Sequence, residues 1–315
     1  MNTLQQRIRQ IARERKAVIL AHYYTTAEVQ DVADFVGDSL ALAQKAAQTD
    51  AEVIVMCGVH FMAETCKILC PEKTVLIPDP AAGCSLADSC PGEAFGRFVK
   101  EHPGYKVISY VNTSALTKAY TDVVVTSSNA RQIVDSFPAS EKIIFGPDRN
   151  LGSYINAVTG RNMLLWDGAC HVHERFSVAE ILKLKAAHPK AEVLAHPECK
   201  GAVLKMADVV GSTAKLLRYA VEGDGQEFIV TTESGILHEM QKQAPGKSFI
   251  PVPPETSEGH TCACNECQYM RLNSLQKILD CLQRNAPQID VPADVAQRAA
   301  VPIRRMLEIS EKLGL

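Results

Sequence analysis

Residues 18–46, VILAHYYTTAEVQDVADFVGDSLALAQKA, decide the fold because the chain repeats their pattern twice more. The second copy is VISYVNTSALTKAYTDVVVTSSNARQIVD at residues 107–135, and the third is VLAHPECKGAVLKMADVVGSTAKLLRYA at residues 193–220. Each copy runs from a β-branched segment through a helical stretch to an aspartate, then into a short apolar strand and a polar pair. The aspartates are Asp34, Asp122 and Asp208. Their nearly equal spacing indicates a repeat architecture.

Two further apolar strands follow in each copy, and the last strand leads into a loop that carries cysteine. The first of these two further strands begins near residues 52, 142 and 227, and the other begins near residues 73, 162 and 247. Strands that alternate with helices of this length indicate βαβ units and parallel sheets. Continuous apolar runs are typical of strands covered on both faces.

The sequence therefore predicts an α/β fold of three similar three-layer α/β/α units about a pseudo-threefold axis. The active site is expected at the centre, where the carboxyl ends of the strands meet. We place the units at residues 1–102, 103–188 and 189–270. The helical residues 271–315 are expected to pack back on the first unit.

Composition excludes several classes of protein. The 315 residues are 46% hydrophobic with a net charge of −3, which does not favour disorder or a nucleic-acid surface. The polar start MNTLQQRIRQIARERK lacks the pattern of a signal peptide, and no apolar run is long enough to cross a membrane. We expect a cytoplasmic protein, in which the eleven cysteines are buried thiols or metal ligands rather than disulfides.

Polar pairs precede a helical run at the same place in each repeat. They are Asp38-Ser39, Ser127-Ser128 and Ser212-Thr213. These residue types cap helix N-termini, where free N–H groups and the helix dipole favour anions. Three such helix starts around one cavity are expected to bind a small substrate set with several negative groups.

The equivalent loops place one cysteine in each repeat, and these are Cys84, Cys170 and Cys267. Electron-transfer clusters usually take four cysteines, so three ligands indicate a cluster with one iron open to a substrate. The run His260-Thr-Cys-Ala-Cys-Asn-Glu-Cys267 also looks like a small zinc site, although structural zinc usually takes four ligands at paired spacing. Both interpretations stay open at this point.

Acid–base candidates follow the first strand of each repeat. His22, Tyr110 and His196 stand at the strand ends, and Tyr24, Asn112 and Glu198 each lie two residues further on. His171 and His173 closely follow Cys170 and are expected to surround the metal ligands or to contact the substrate. Dinucleotide, ATP, zinc-protease and serine-hydrolase motifs are absent from the sequence.

Over essentially its whole length the chain resembles the quinolinate synthase family. The matching segments are LAHYY (20–24), DFVGDS (34–39), GVHFMAE (58–64), YVNT (110–113), TSSNA (126–130), FGPDRNLG (145–152), AHPEC (195–199), DVVGST (208–213) and TESG (232–235). The resemblance implies condensation of iminoaspartate with dihydroxyacetone phosphate to quinolinate in NAD biosynthesis. An aspartate-oxidising enzyme is the expected supplier of the imine.

The resemblance also implies site residues and a cofactor. A 4Fe-4S cluster would be held by Cys84, Cys170 and Cys267. The implied catalytic residues are Tyr24, Glu198, His22 and His196. The implied substrate contacts are His22, Ser39, Tyr110, Asn112, Ser127, His173, His196, Glu198, Ser212 and Thr213. The family fold agrees with the repeat interpretation.

Two features depart from the family pattern or leave a choice of ligand. Gln268 stands where family members often have proline, and Cys262 and Cys264 precede Cys267 closely. Cys267 is preferred as the ligand because Tyr269-Met270 follows it as in the family, and we hypothesise an oxidative Cys264–Cys267 disulfide. Two alternatives are a periplasmic-type or sensor module that binds a small anion, and a zinc-stabilised α/β scaffold.

Overall fold

Three parallel four-stranded sheets form the framework of the protein. The computed structural model describes residues 3–254 and 265–315. Within these residues the twelve strands are β1 (Ala17–His22), β2 (Phe35–Gly37), β3 (Val53–Cys57), β4 (Thr74–Leu76), β5 (Lys106–Tyr110), β6 (Val123–Val125), β7 (Ile143–Gly146), β8 (Leu164–Leu165), β9 (Glu192–Ala195), β10 (Val209–Val210), β11 (Glu227–Thr231) and β12 (Ser248–Pro251).

The three sheets share one strand order. It is β2-β1-β3-β4 in the first sheet, β6-β5-β7-β8 in the second and β10-β9-β11-β12 in the third. Every pair in these ladders is parallel, and each strand is a short apolar run. All five residues of β3 are buried, as expected for strands covered on both faces. The predicted α/β fold of three similar parallel units is confirmed.

Helices cover both faces of the sheets. They are α1 (Thr3–Glu14), α2 (Ala27–Val32), α3 (Ser39–Gln48), α4 (His60–Leu69), α5 (Ser85–Asp88), α6 (Gly92–Glu101), α7 (Ala115–Lys118), α8 (Ala130–Asp135), α9 (Arg149–Thr159), α10 (Val178–Ala187), α11 (Gly201–Leu204), α12 (Thr213–Glu222), α13 (Ile236–Gln243), α14 (Leu275–Arg284) and α15 (Ala293–Lys312). No helix in the described ranges has both the length and the apolar character needed to cross a bilayer.

The repeated aspartates hold the first two strands of each unit together. The backbone N–H of Asp34 donates to the Ile19 carbonyl at 2.9 Å, and the Ile19 N–H donates to the Asp34 carboxylate at 2.8 Å. The same pair of bonds joins Asp122 to Val107 and Asp208 to Val193. Each aspartate therefore fixes the start of the second strand beside the first, which is why it recurs at the repeat interval.

The C-terminal helices contact more than one unit. Helix α14 packs on α1, whereas α15 packs on α4 and also on α7 and β6 of the second sheet. One continuous apolar core joins the first two sheets with α15, and it includes Leu20, Ile108, Phe145 and Met306. This shared core fixes the position of one sheet against the other. The proposed unit boundaries at residues 102, 188 and 270 stay a prediction.

Candidate active site

A cavity lies where the carboxyl ends of the three sheets meet. His22 is the last residue of β1, Tyr110 is the last residue of β5, and His196 directly follows β9. All three side chains line the cavity. It lies at the edge where parallel sheets usually bind ligands, and its polar groups converge from all three sheets, as is typical of a small-molecule site.

The structure brings together nearly all of the candidate residues. The cavity is lined by His22, Tyr24, Ser39, Tyr110, Asn112, Ser127, His173, His196, Glu198 and Thr213, together with Cys84, Cys170 and Cys267. Ser212 lies elsewhere, because its hydroxyl caps α12 by accepting the Lys215 N–H at 3.3 Å and faces an outer groove. The helix starts also differ, since α8 begins only at Ala130 and Ser127 lies in the preceding turn.

The three cysteine loops are anchored by the same backbone hydrogen bond. In each repeat, a residue that closely follows the third strand (β3, β7 or β11) donates its N–H to the carbonyl of the residue two before the cysteine. The pairs are His60 to Ala82 at 2.7 Å, Arg149 to Gly168 at 2.8 Å and Ser234 to Asn265 at 3.0 Å. Cys84, Cys170 and Cys267 are thus structurally equivalent.

Each cysteine sulfur also meets the start of a helical turn. The backbone N–H of the third residue after the cysteine points at the sulfur in every repeat, and these residues are Ala87, His173 and Met270. Burial raises the pKa of Cys84 to about 12 and that of Cys267 to about 11, while the N–H groups act in the opposite direction. Burial also raises the pKa of Cys170 well above its ordinary value. Thiolates here need a bound cation to stabilise them.

A chain of hydrogen bonds centres on the buried Glu198. Its carboxylate accepts the Tyr110 hydroxyl at 2.6 Å and lies 3.2 Å from Nδ1 of His173. Burial alone would raise the pKa of Glu198, but attraction to His173 and the hydrogen bonds from His173 and Tyr110 lower it. Glu198 is therefore ionised at neutral pH and able to accept a proton. Burial and the Glu198 charge raise the pKa of Tyr110, which stays protonated as the donor.

His22 and His196 are held in one tautomer by equivalent backbone contacts. Nδ1 of His22 accepts the N–H of Tyr24 at 3.2 Å, and Nδ1 of His196 accepts the N–H of Glu198 at 3.3 Å. Since an accepting nitrogen carries no proton, Nε2 is the protonated atom in both rings. Burial lowers the pKa of each histidine to about 3, so both are neutral donors near pH 7.

Tyr24 is held by two threonines from the third sheet and the helix beside it. Its hydroxyl lies 2.7 Å from Oγ1 of Thr213 and 2.8 Å from Oγ1 of Thr232. Thr232 also lies 2.9 Å from Nε2 of His173, so one hydroxyl joins Tyr24 to the Glu198 chain. Burial raises the pKa of Tyr24 well above its ordinary value, which keeps its phenol protonated.

One set of donor atoms is close enough to hold a metal ion. The Cys170 sulfur, a ring nitrogen of His173 and a carboxylate oxygen of Glu198 lie within 4.8 Å of one another. All nine cysteines in residues 3–254 and 265–315 are free. His260, Cys262 and Cys264, on which the zinc interpretation and the disulfide hypothesis depend, lie outside the described residues.

Three residues that line or join the site were not among the candidates. Thr232 bridges Tyr24 and His173, Glu233 lines the cavity, and Tyr269 packs its ring edge-on to His171 at 6.0 Å. Two of them belong to the TESG segment, which matched the family pattern. That match was the available signal, because Thr232 directly follows β11 rather than the first strand of its repeat.

The chain is similar to proteins named quinolinate synthase. The family model described as "Quinolinate synthetase A protein" matches residues 6–308. The quinolinate synthase of Thermosynechococcus vestitus is 56% identical over 303 residues, which cover 96% of this chain and 94% of that protein. The enzymes of Microcystis aeruginosa and Chloroherpeton thalassium are 54% and 55% identical, with the same shares covered.

Proposed function

The chain belongs to the quinolinate synthetase A protein family, and from this premise we propose that it condenses iminoaspartate with dihydroxyacetone phosphate to quinolinate for NAD biosynthesis. Phosphate and water are the other products, so the reaction needs no oxidant. An enzyme that oxidises aspartate is the class of reaction that supplies the imine. The observation that carries the proposal is that three equivalent cysteines share one cavity with the Tyr110–Glu198–His173 chain.

The cysteines fit a 4Fe-4S cluster. Cys84, Cys170 and Cys267 come from different repeats, line one cavity, and each receives a backbone N–H at its sulfur. Hydrogen bonds to ligand sulfurs are a usual feature of such clusters. When bound by three protein ligands, the cluster supplies an open iron that acts as a Lewis acid on a substrate hydroxyl.

Neutral donors around the cavity suit the two carboxylates and the phosphate of the substrates. Nε2–H of His22 is a donor in the cavity, Nε2–H of His196 lies 3.2 Å from the Ser127 hydroxyl, and Ser39 and Thr213 stand in the first turns of α3 and α12. The buried Oδ1 of Asn112 has no partner among the described residues. An unpaired buried amide in a ligand site is expected to bind a polar group of the substrate.

Two groups are assigned to proton transfer, one as the acceptor and the other as the donor. The Glu198 carboxylate is ionised and takes a proton, directly or through the Tyr110 hydroxyl that bonds it. The Tyr24 phenol stays protonated and gives a proton or a hydrogen bond to developing negative charge. Thr232 keeps the two groups in a fixed relation because it bonds both Tyr24 and His173.

Anaerobic purification tests the proposal. We expect a brown protein with about four irons and four sulfides per chain, which forms quinolinate from oxaloacetate, ammonia and dihydroxyacetone phosphate. Bound zinc in place of iron would support the zinc-stabilised scaffold. Binding of phosphate with neither metal nor turnover would support an anion-binding module.

Replacing Thr232 with valine tests the link between Tyr24 and His173. The change keeps the shape but removes the hydroxyl, so we expect kcat to fall about 10-fold to 100-fold, which corresponds to the loss of one or two hydrogen bonds. The matched control is Thr231→Val, because the buried Thr231 hydroxyl has no partner in the described structure. Equal rates for the two variants would contradict the role given to Thr232.

A further inference from the structure

Two fully buried acidic side chains contact the backbone of the cysteine ligands. Asp148 accepts the Cys170 N–H at 3.3 Å through one oxygen and the Leu151 N–H at 2.7 Å through the other. Glu233 accepts the Cys267 N–H at 3.0 Å and the Gly235 N–H at 2.6 Å in the same divided way. Both side chains have no exposed surface.

The two acids occupy equivalent positions in the second and third repeats. Asp148 directly precedes Arg149, and Glu233 directly precedes Ser234, the residues whose N–H groups bind the carbonyl two before each cysteine. Each of these two cysteine loops is therefore held at two points, the N–H of the cysteine and the carbonyl of the residue two before it. In the first repeat the equivalent residue is Val59, an apolar side chain that accepts no hydrogen bond. Cys84 instead directly precedes α5.

Burying an acid costs free energy that is only partly offset by its hydrogen bonds and, for Glu233, by the Arg271 guanidinium 3.6 Å away. An apolar side chain is accommodated at this position in the first repeat, so the fold itself does not demand an acid there. The acids recur only where the cysteine precedes a short 3₁₀ turn, at residues 173–175 and 270–272, rather than an α-helical turn. Such loops have less helical structure of their own to fix the cysteine.

We propose that Asp148 and Glu233 are positioning residues that set the Cys170 and Cys267 sulfurs in place for the iron–sulfur cluster. This inference rests on the proposed cluster site. The two cysteines are held through their own N–H groups, whereas Cys84 is placed by its helix. The carboxylates thus act on cluster retention, not on the substrate.

Two variants weaken these contacts while keeping a polar side chain. Glu233→Gln leaves one oxygen but turns an NH₂ group toward one of the two N–H donors, so one hydrogen bond is lost. Asp148→Ser keeps a good cap for α9 but is too short to serve Cys170 as well. The control is Asp208→Asn, which alters an exposed carboxylate that also accepts a backbone N–H, from Val193, and has no part in the cavity.

The measurement is loss of the cluster absorbance under an iron chelator, after anaerobic reconstitution and with iron and sulfide counted at the start. We expect Glu233→Gln and Asp148→Ser to lose the cluster about 10-fold to 100-fold faster than the wild type, the range typical of outer-shell partners of metal ligands. Asp208→Asn should lose it at the wild-type rate. Urea unfolding of the cluster-free proteins shows whether stability has changed.

The possible failures are distinguishable. A wild-type protein that takes up no cluster overturns the proposed function and this inference together. A wild type that holds its cluster, with both variants losing theirs no faster than Asp208→Asn, overturns the inference alone. In a third outcome, all three variants lose the cluster faster and to the same extent, in step with a lowered free energy of unfolding. The acids would then contribute to folding, and the inference is overturned in this case as well.

Discussion

Cys84→Ala, purified and reconstituted without oxygen, is expected to be colourless and to form no quinolinate. Only two thiolates would then remain for a cluster that needs at least three anchors here, because the third comes from a different repeat and has no substitute among the described residues that line the cavity. The loss of cluster and activity should exceed the roughly 10-fold to 100-fold effect of changing a residue that only contacts a metal ligand. Iron and sulfide content, visible absorbance and quinolinate formation measure it.

Cys281→Ala is the matched control for this variant. Cys281 is also a buried free thiol, but it lies on α14 in the apolar core against α1. Its loss should lower stability by about 1 kcal/mol, as for removal of a small buried group, and leave the cluster intact. A Cys84→Ala protein that retains four irons and normal turnover would rule out the three-cysteine site.

Local patterns were enough to predict the fold. The β-branched runs, the aspartates and the cysteine loops recur along the chain, and recurrence does not depend on knowing distances in space. The repeat also gave the reason for the site, since His22, Tyr110 and His196 follow equivalent strands and must point to one edge. The sequence alone was therefore enough to predict that residues at equivalent strand ends would lie near one another.

Contacts between repeats were not predictable in this way. Thr232 meets the Tyr24 hydroxyl across 208 positions of sequence, and no local pattern marks that distance. The polar pairs also did not show which of their members would face the cavity. Ser212 takes the place of Asp38 in the repeat and, like it, caps a helix, whereas Ser39 and Thr213 are the first residues of α3 and α12 and line the cavity. A shift of one residue at a helix start changes which side chain faces the cavity.

The three repeats have diverged around a common backbone. The hydrogen bond to the carbonyl two before each cysteine is kept in all of them, which preserves the placement of the sulfurs. The polar residues at the strand ends differ, with histidine in the first and third repeats and tyrosine in the second. A symmetric metal site and an asymmetric substrate site can therefore share one cavity.

Glu198→Gln is expected to keep the cluster and lose turnover, by about 10²-fold to 10⁴-fold in kcat. Glutamine fills the same volume and still accepts one hydrogen bond, but it cannot be ionised, and its NH₂ group must face either the Tyr110 hydroxyl or His173. A proton acceptor is then missing from the centre of the cavity. KM should change little, because the substrate contacts assigned to His22, Ser39 and Asn112 are untouched.

The control for Glu198→Gln is Glu239→Gln, which alters another mostly buried glutamate, paired with Lys242 on α13 and outside the cavity. Its cluster spectrum and kcat should match the wild type. The comparison separates two roles of Glu198, since its carboxylate also helps to orient His173 and, through that ring, the surroundings of Cys170. If Glu198→Gln is colourless while Glu239→Gln is brown, Glu198 supports the metal ligands and another group must accept the proton. If Glu198→Gln is brown and inactive, Glu198 acts in turnover and not in cluster retention, as expected for the proton acceptor.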